Sequence, residues 1–316
     1  MQRRVAILGG AGFIGTNLTR YLQKSFAEIV VIDNNSNSSA FFEAVTKEFT
    51  NVRLVKVDVA DLESLTNSLS GCDSVIHLAS NADIAAAAVN PVIDFENGTY
   101  LTSNALEASR RAGVSRFIYA SGSGVYGDTE GPHSESDASL APISTYGASK
   151  IAGESLVAAY SYRFNMIGRV FRFANVVGPM QTHGVSFDFI NKLKKDRTRL
   201  DVLGNGTQNK SYIWVDDVSE ALKFGLMDDQ SLQFDVFNVA SEDTITVREI
   251  AEIVVEAMFG DRHQTKINYA STNEGWPGDV PYIRLNNLKL KSKNWNPSRS
   301  SRQAIEESVN SMISQI

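Results

Sequence analysis

Tyr146 and Lys150 stand four residues apart in the run S-T-Y-G-A-S-K (144–150), a spacing that puts both on one face of the helix predicted for 146–164. A phenol with an ordinary pKa of about 10 is a weak base near neutrality. An ammonium one turn away favours the phenolate and turns the pair into a proton acceptor. The same spacing also occurs on solvated helices, where it carries no chemistry. What separates the two readings is whether another segment would bring a reacting molecule to Tyr146.

The start of the chain, V-A-I-L-G-G-A-G-F-I-G (5–15), is such a segment. Gly9 permits a tight strand-to-helix turn, Gly12 lets a pyrophosphate approach bare backbone, and Gly15 lets the helix lie against the sheet. The free N–H groups of the helix N-terminus then face the phosphates. Asp33 closes the second strand-like run, E-I-V-V-I-D (28–33), where its carboxylate accepts from adenosine ribose hydroxyls. No arginine adjoins it to receive a 2′-phosphate, so NAD is favoured over NADP. A turn residue in the polar loop D-N-N-S-N-S-S (33–39) is the other reading of Asp33. With the dinucleotide in place, a positive nicotinamide ring beside Tyr146 is a second influence favouring the phenolate.

The elements that position these residues follow from pattern. Apolar runs at 5–9, 28–33, 52–59, 74–79, 116–121, 168–173 and 234–240 alternate with helical stretches. They predict parallel strands buried on both faces, in a Rossmann-type, doubly wound α/β sheet. Residues 1–178 are expected to form the NAD-binding domain, joined by part of 211–260. Residues 179–316 are expected to form mainly a smaller, discontinuous substrate domain, with a short strand at Leu200–Leu203, a glycine turn at Gly204-Asn205-Gly206 and a helix at about 246–259.

Composition bounds the partners. At 316 residues, 43% hydrophobic and 21% charged, the chain suffices for one large domain or two unequal ones. A net charge of −6 weighs against a nucleic acid or an anionic membrane as partner. The basic cluster Lys192, Lys194, Lys195, Arg197 and Arg199 reads as a solvated helix face. Cys72 alone excludes an intrachain disulfide and a multi-cysteine metal site, and His77, His133, His183 and His263 show no ligand spacing, so no metal is expected. No apolar stretch of about 20 residues is present. Neither a signal peptide nor a membrane span is expected, and the expected location is cytoplasmic.

Taken together, G-G-A-G-F-I-G (9–15), Asp58-Val59, H-L-A-S (77–80), V-Y-G-D (125–128), Y-G-A-S-K (146–150), R-F-A-N-V-V-G-P (172–179), G-N-G-T-Q-N-K-S-Y-I-W-V-D-D-V (204–218) and P-G-D-V (277–280) resemble the extended short-chain dehydrogenase/reductases. Within them the chain is similar to the nucleotide-sugar epimerase and dehydratase group that includes the UDP-glucose 4-epimerases. The resemblance implies that Gly12, Phe13 and Ile14 hold the pyrophosphate, Asp33 and Asn34 the ribose, Asp58 and Val59 the adenine, and Leu78, Ala79 and Ser80 the region near the nicotinamide ribose. It further implies Tyr146 as base, Lys150 as its partner, Asn175 at the sugar diphosphate, and a homodimer in which helices at about 94–112 and 146–164 pair with their copies in a four-helix bundle. The reaction implied is NAD-dependent epimerisation of a nucleotide sugar, a UDP-sugar foremost, at C4 through a 4-keto intermediate. A dehydratase or 4-keto reductase of the same family and a non-catalytic NAD-binding protein are the alternatives.

Several positions depart from the family pattern. In S-G-S-G-V-Y-G (121–127) the family's Ser or Thr is Gly122, flanked by Ser121 and Ser123. Gly122 and Gly124 are expected to bend the backbone so that Ser123 takes over the hydroxyl role and Ser121 lies near the substrate. The Asp-Glu pair of the dehydratases is replaced by Ser123 and Gly124. The family's substrate-side arginine is Lys210, a point charge without the bidentate fork, and the arginine before P-G-D is Trp276. Phe95 stands where an asparagine is usual and Ala82 where a lysine occurs, while Arg172 and Arg284 are cations that could reach the diphosphate.

Overall fold

Seven parallel strands form the central sheet in a computed structural model of the chain, which describes residues 3–35, 42–81, 84–129, 131–228, 232–261, 264–276 and 279–315. Ala82, His263, the polar loop beyond Asn35 and Pro277-Gly278 of P-G-D-V lie outside the described residues. The strands are β1 (Arg4–Leu8), β2 (Glu28–Asp33), β3 (Val52–Lys56), β4 (Ser74–His77), β5 (Arg116–Gly122), β6 (Ile167–Phe173) and β7 (Phe234–Val239). Their order is 7-6-5-4-1-2-3. Side chains alternate between two cores: Ile7, Val31, Ile76 and Phe171 pack on one face, and Leu8, Val30, Val75 and Val170 on the other. Burial on both faces is why the inner runs read as continuously apolar, whereas edge strand β3 (V-R-L-V-K) is largely exposed, contrary to the expectation for the 52–59 run. The order reverses between β1 and β4, which opens a crevice at the carboxyl ends of the strands.

The third strand stops at Lys56, short of the expected 59, because Asp58 turns the chain by accepting from the Ala60 N–H at 2.8 Å. Helix α1 (Phe13–Leu22) follows the glycine loop. The helix expected at 94–112 is composite: a short α turn at Val92–Asp94, a π turn at Phe95–Tyr100, and α2 (Leu101–Arg111). The wide turn carries Gly98 against Ser149, where a Cβ would lie 2.6 Å from the serine Oγ. Helix α3 (Thr145–Phe164) is capped by Ser144, whose Oγ accepts from the Gly147 N–H at 3.1 Å, and it ends at Asn165 in the left-handed region.

Beyond Pro179 the chain builds a second core. A helix at Val185–Lys195, a strand at Arg199–Val202 paired in parallel with Lys266–Tyr269, and helices at Val247–Phe259 and Ser301–Ser314 pack around Phe189, Leu200, Trp214, Val254 and Ile305. Both of the last two helices start with reciprocal capping, Thr246 with Glu249 and Ser300 with Gln303. The apolar run at 234–240 re-enters the central sheet as edge strand β7, beside β6. The C-terminal helices therefore follow a strand of the first layer.

Candidate active site

The β1–α1 loop sits at the mouth of the crevice. Gly9 has φ 73°, and a Cβ there would stand 2.6 Å from the Ala79 nitrogen; a Cβ on Gly15 would stand 2.5 Å from Gly10. Packing alone demands those two glycines. Gly12 is different: its backbone is extended, and the one heavy atom near a Cβ would be the Gly9 carbonyl oxygen at 3.6 Å. It begins α1 with no side-chain cap, leaving the helix N–H groups open toward that space.

Asp33 and Asp58 end the neighbouring strand runs. Asp33 accepts from the Ala11 N–H at 3.0 Å and the Asn35 N–H at 2.7 Å, tying the glycine loop to β2. Asn34 donates to Asp58 at 3.0 Å, and Val59 is buried beside them. On the other side of the switch point the Leu78 and Ala79 N–H groups both donate to the Leu8 carbonyl, at 2.9 and 3.0 Å. This pins the 78–80 segment to the end of β1.

Tyr146 and Lys150 come together as the spacing predicts. The Lys150 ammonium lies 5.4 Å from the Tyr146 ring centroid and 5.3 Å from that of Tyr119, and donates to the Ala120 carbonyl at 2.9 Å. Burial disfavours the charged form of each group. It pushes the Tyr146 phenol up to about 12, with Asp94 adding to the rise and Ser80 opposing it. It brings the Lys150 ammonium down to about 8, against the pull of Glu154 and Asp94. Asp94 itself is buried and accepts from Thr145 at 2.7 Å and Asn81 at 2.8 Å. Gly147, next to the tyrosine, is required by the close approach of the 123–126 turn, since a Cβ would meet the Gly124 carbonyl oxygen at 2.5 Å.

The 121–127 segment corrects one expectation. Gly122 is extended (φ −152°, ψ 167°) and Gly124 lies outside the left-handed region, so neither adopts a backbone that only glycine reaches. A Cβ on Gly122 would have its nearest neighbour, the Phe173 carbonyl oxygen, at 4.0 Å, so the missing side chain leaves space rather than a bend. Ser123 opens a short 3-10 turn, half-buried, and its hydroxyl makes no hydrogen bond among the described residues. Ser121 turns inward and donates to Glu154 at 2.5 Å. Arg172 is not a spare cation either: it pairs with Glu154 at 2.6 Å, donates to the Tyr126 hydroxyl at 2.9 Å, and is buried.

A glycine loop at the switch point facing a Tyr–Lys pair is the arrangement of a dinucleotide enzyme, and the family model described as the NAD dependent epimerase/dehydratase family matches residues 5–240. The chain belongs to that family. It is similar over 99% of both chains to a crystal structure of a UDP-galactose 4-epimerase, with 33% identity and a TM-score of 0.87. The Thermus thermophilus UDP-glucose 4-epimerase in complex with NAD is 28% identical, with a TM-score of 0.85, over 99% of this chain and all of that one. A GDP-mannose 3,5-epimerase of Oryza sativa subsp. indica is 30% identical over 93% of this chain and 78% of its own.

The residues present fit the family's NAD. The space over Gly12 and the uncapped α1 N-terminus suit a pyrophosphate, and Asp33, Asn34 and Asp58, grouped just past the ends of β2 and β3, would meet the adenosine end. Of the residues expected to meet the substrate, half-buried Asn175 donates to the Ser211 carbonyl at 3.3 Å. Lys210 is ion-paired with buried Asp279 and lies 5.1 Å from the Trp276 ring, which is 38% exposed and so no core residue. Arg284 is exposed and donates to the Glu242 carbonyl at 3.3 Å, and Phe95 is 60% exposed, on the outer surface of its helix. Sequence reading missed Asp94 and Glu154. Glu154 was within reach, because it continues the Tyr146–Lys150 face by one further turn.

No helix among the described residues is long and apolar enough to cross a membrane, and none of their His, Cys, Asp and Glu clusters is placed to hold a metal ion.

Proposed function

We propose that the protein epimerises a nucleotide sugar, a UDP-sugar foremost, at C4 through a transient 4-keto intermediate. The observation that carries this is the Tyr146–Lys150 pair held at the carboxyl edge of the sheet, beside the glycine loop, with Ser123 and Gly124 where a dehydratase would carry an Asp-Glu pair. Similarity to 4-epimerases supports it.

Tyr146 takes the proton of the sugar 4-hydroxyl, and Lys150, still charged at neutral pH, offsets the phenolate. The Ala120 carbonyl fixes the ammonium beside the half-buried tyrosine. NAD, held by the glycine loop and the Asp33 side of the crevice, would supply reversible hydride acceptance for the 4-hydrogen and would not be consumed. Ser123, with its unengaged hydroxyl, and Ser121 behind it form the wall on the sugar side. Asn175 and Lys210 serve the diphosphate end, within a unit that takes most of 179–316. Apolar Val92, Phe95, Tyr100, Tyr162 and Phe164 are exposed on the 92–111 and 145–164 helices, which supports a homodimer through a four-helix bundle. A reducing, cytoplasmic location suits the lone buried Cys72.

Purified protein is to be incubated with UDP-, GDP-, CDP- and dTDP-sugars while the anomeric and H4 proton signals are followed by NMR. A C4 epimer formed without added cofactor confirms the reading. A stable keto sugar would identify a dehydratase, consumption of added NADH a 4-keto reductase, and no turnover a non-catalytic NAD-binding protein.

A further inference from the structure

The open space at Gly122 leaves Tyr146 without the hydroxyl that a Ser or Thr there would bring, yet a different hydroxyl is already beside the phenol. Ser80 lies just past β4, on the segment that the Leu78 and Ala79 N–H groups anchor to the Leu8 carbonyl. Its Oγ is buried and meets no group among the described residues in ordinary hydrogen-bond geometry. The Tyr146 phenol is the group that feels it, and Ser80 acts to make that phenol more acidic. The two segments are tied together here: Asn81, next to Ser80, donates to Asp94 at 2.8 Å, and Thr145, next to Tyr146, donates to the same carboxylate at 2.7 Å. A buried hydroxyl without a settled partner is costly to keep unless a ligand or a second protonation state engages it.

We propose that Ser80 is the hydroxyl partner of Tyr146, a positioning residue that donates to the phenolate and holds it toward the sugar oxygen. This rests on the reading of Tyr146 as the base and deepens it. Three groups then surround the phenol from three elements: Ser80 from the β4 loop, Lys150 from α3, and Asp94 from the turn before α2, with Tyr119 of β5 across the ammonium. Ser80 and Lys150 favour the phenolate and Asp94 opposes it. During the proton step the 4-hydroxyl O–H bond breaks, the proton moves to the Tyr146 oxygen, and Ser80 keeps its own proton, turning from donor to the phenolate into acceptor from the phenol. Ser123, whose hydroxyl makes no hydrogen bond among the described residues, is left to the substrate.

The test uses Ser80→Ala, Ser123→Ala, Gly122→Ser and the Ser80→Ala/Gly122→Ser double variant, all as the full NAD-loaded chain. Losing a hydrogen bond to a charged oxygen predicts a fall in kcat of about ten- to a hundredfold in Ser80→Ala, with a smaller change in KM, and an acid limb of kcat/KM moved up by about one pH unit. A serine at 122 has room, since its Cβ would meet nothing closer than 4.0 Å, and the double variant recovers a large part of the loss. A readout free of turnover is the ring carbon-13 signal of labelled tyrosine, assigned to residue 146 by its loss in Tyr146→Phe. Ser80→Ala shifts that signal and Ser123→Ala does not. An unmoved signal together with a wild-type pH limb in Ser80→Ala overturns the proposal, as does a shift produced by Ser123→Ala instead. If no nucleotide sugar turns over while the signal shifts as stated, the epimerase reading fails and the Ser80 contact stands.

Discussion

Replacing Lys150 with methionine should make the protein more stable at neutral pH and far less active. The Lys150 ammonium is brought from its ordinary 10.5 down to about 8 by burial, a difference worth about 3 kcal/mol of unfavourable free energy while the group is charged. Methionine has a similar length and no charge to desolvate. The sign follows from linkage: below pH 8 both folded and unfolded chains carry the proton and the folded state bears the whole cost. Between about 8 and 10.5 the folded state releases the proton first, so stability rises with pH across that window and levels off above it. Lys150→Met loses that rise and is stabilised at pH 7 by up to about 3 kcal/mol, less the cost of leaving the Ala120 carbonyl without its donor. Activity moves the other way. A unit charge 5.4 Å from the phenol ring, at an effective dielectric of about 20, stabilises a phenolate by about 3 kcal/mol, or a little over a hundredfold in kcat. Urea unfolding from pH 6.5 to 10, run beside turnover of whichever nucleotide sugar the panel identifies, measures both. A variant less stable than wild type at pH 7, or within threefold of its kcat, would refute the electrostatic account.

Four further outcomes can be checked with the same protein. Tyr146→Phe should lose about 10²- to 10⁴-fold in kcat while co-purifying with as much NAD as wild type, and equal turnover would remove the phenol from the mechanism. Gly12→Val should leave the thermal midpoint of the NAD-free protein nearly unchanged, because a Cβ there meets only the Gly9 carbonyl at 3.6 Å, yet cut NAD retention at least tenfold by about the loss of one close approach. Gly9→Ala, forced into φ 73° and against Ala79, should instead unfold at markedly lower temperature. Arg172→Met strands the Glu154 carboxylate in the interior and should cost about 3–5 kcal/mol in denaturant unfolding, with Glu154→Gln in the same chain recovering part of it.

Those residues divide by what a linear pattern can carry. The glycine loop and the Tyr–Lys pair were legible because each is set by local geometry: a tight turn with φ 73° at Gly9, and two side chains one helical turn apart. Edge strand β7 was legible as well, since F-D-V-F-N-V-A keeps the apolar run of a sheet strand despite the long excursion before it. The role of Gly122 was not, because a glycine kept for its backbone and a glycine kept for space look alike until φ and ψ are known. Arg172 read as free because its partner, Glu154, sits on the preceding helix and comes into reach only when α3 packs against β5 and β6. Asp94 was invisible for the same reason: it meets Thr145 across 51 residues.

The polar groups behind Lys150 also tie the Tyr146–Lys150 pair to the far edge of the sheet. Glu154 opposes the burial effect on the Lys150 ammonium, and is itself held by Ser121 and Arg172. Arg172 reaches the Tyr126 hydroxyl, which donates to Asn238 of β7 at 2.8 Å. Asn238 in turn donates to the carbonyls of His133 and Asn286, both at 3.0 Å, and its N–H meets Glu135 at 2.7 Å. A continuous run of buried hydrogen bonds therefore links α3 to edge strand β7. Because an unpaired member of such a run would be a desolvated donor or charge, each group fixes the next far more firmly than apolar packing would. Lys210, Trp276 and Arg284 all lie outside that run, so substitutions there leave the Asn238 and Tyr126 pairing in place.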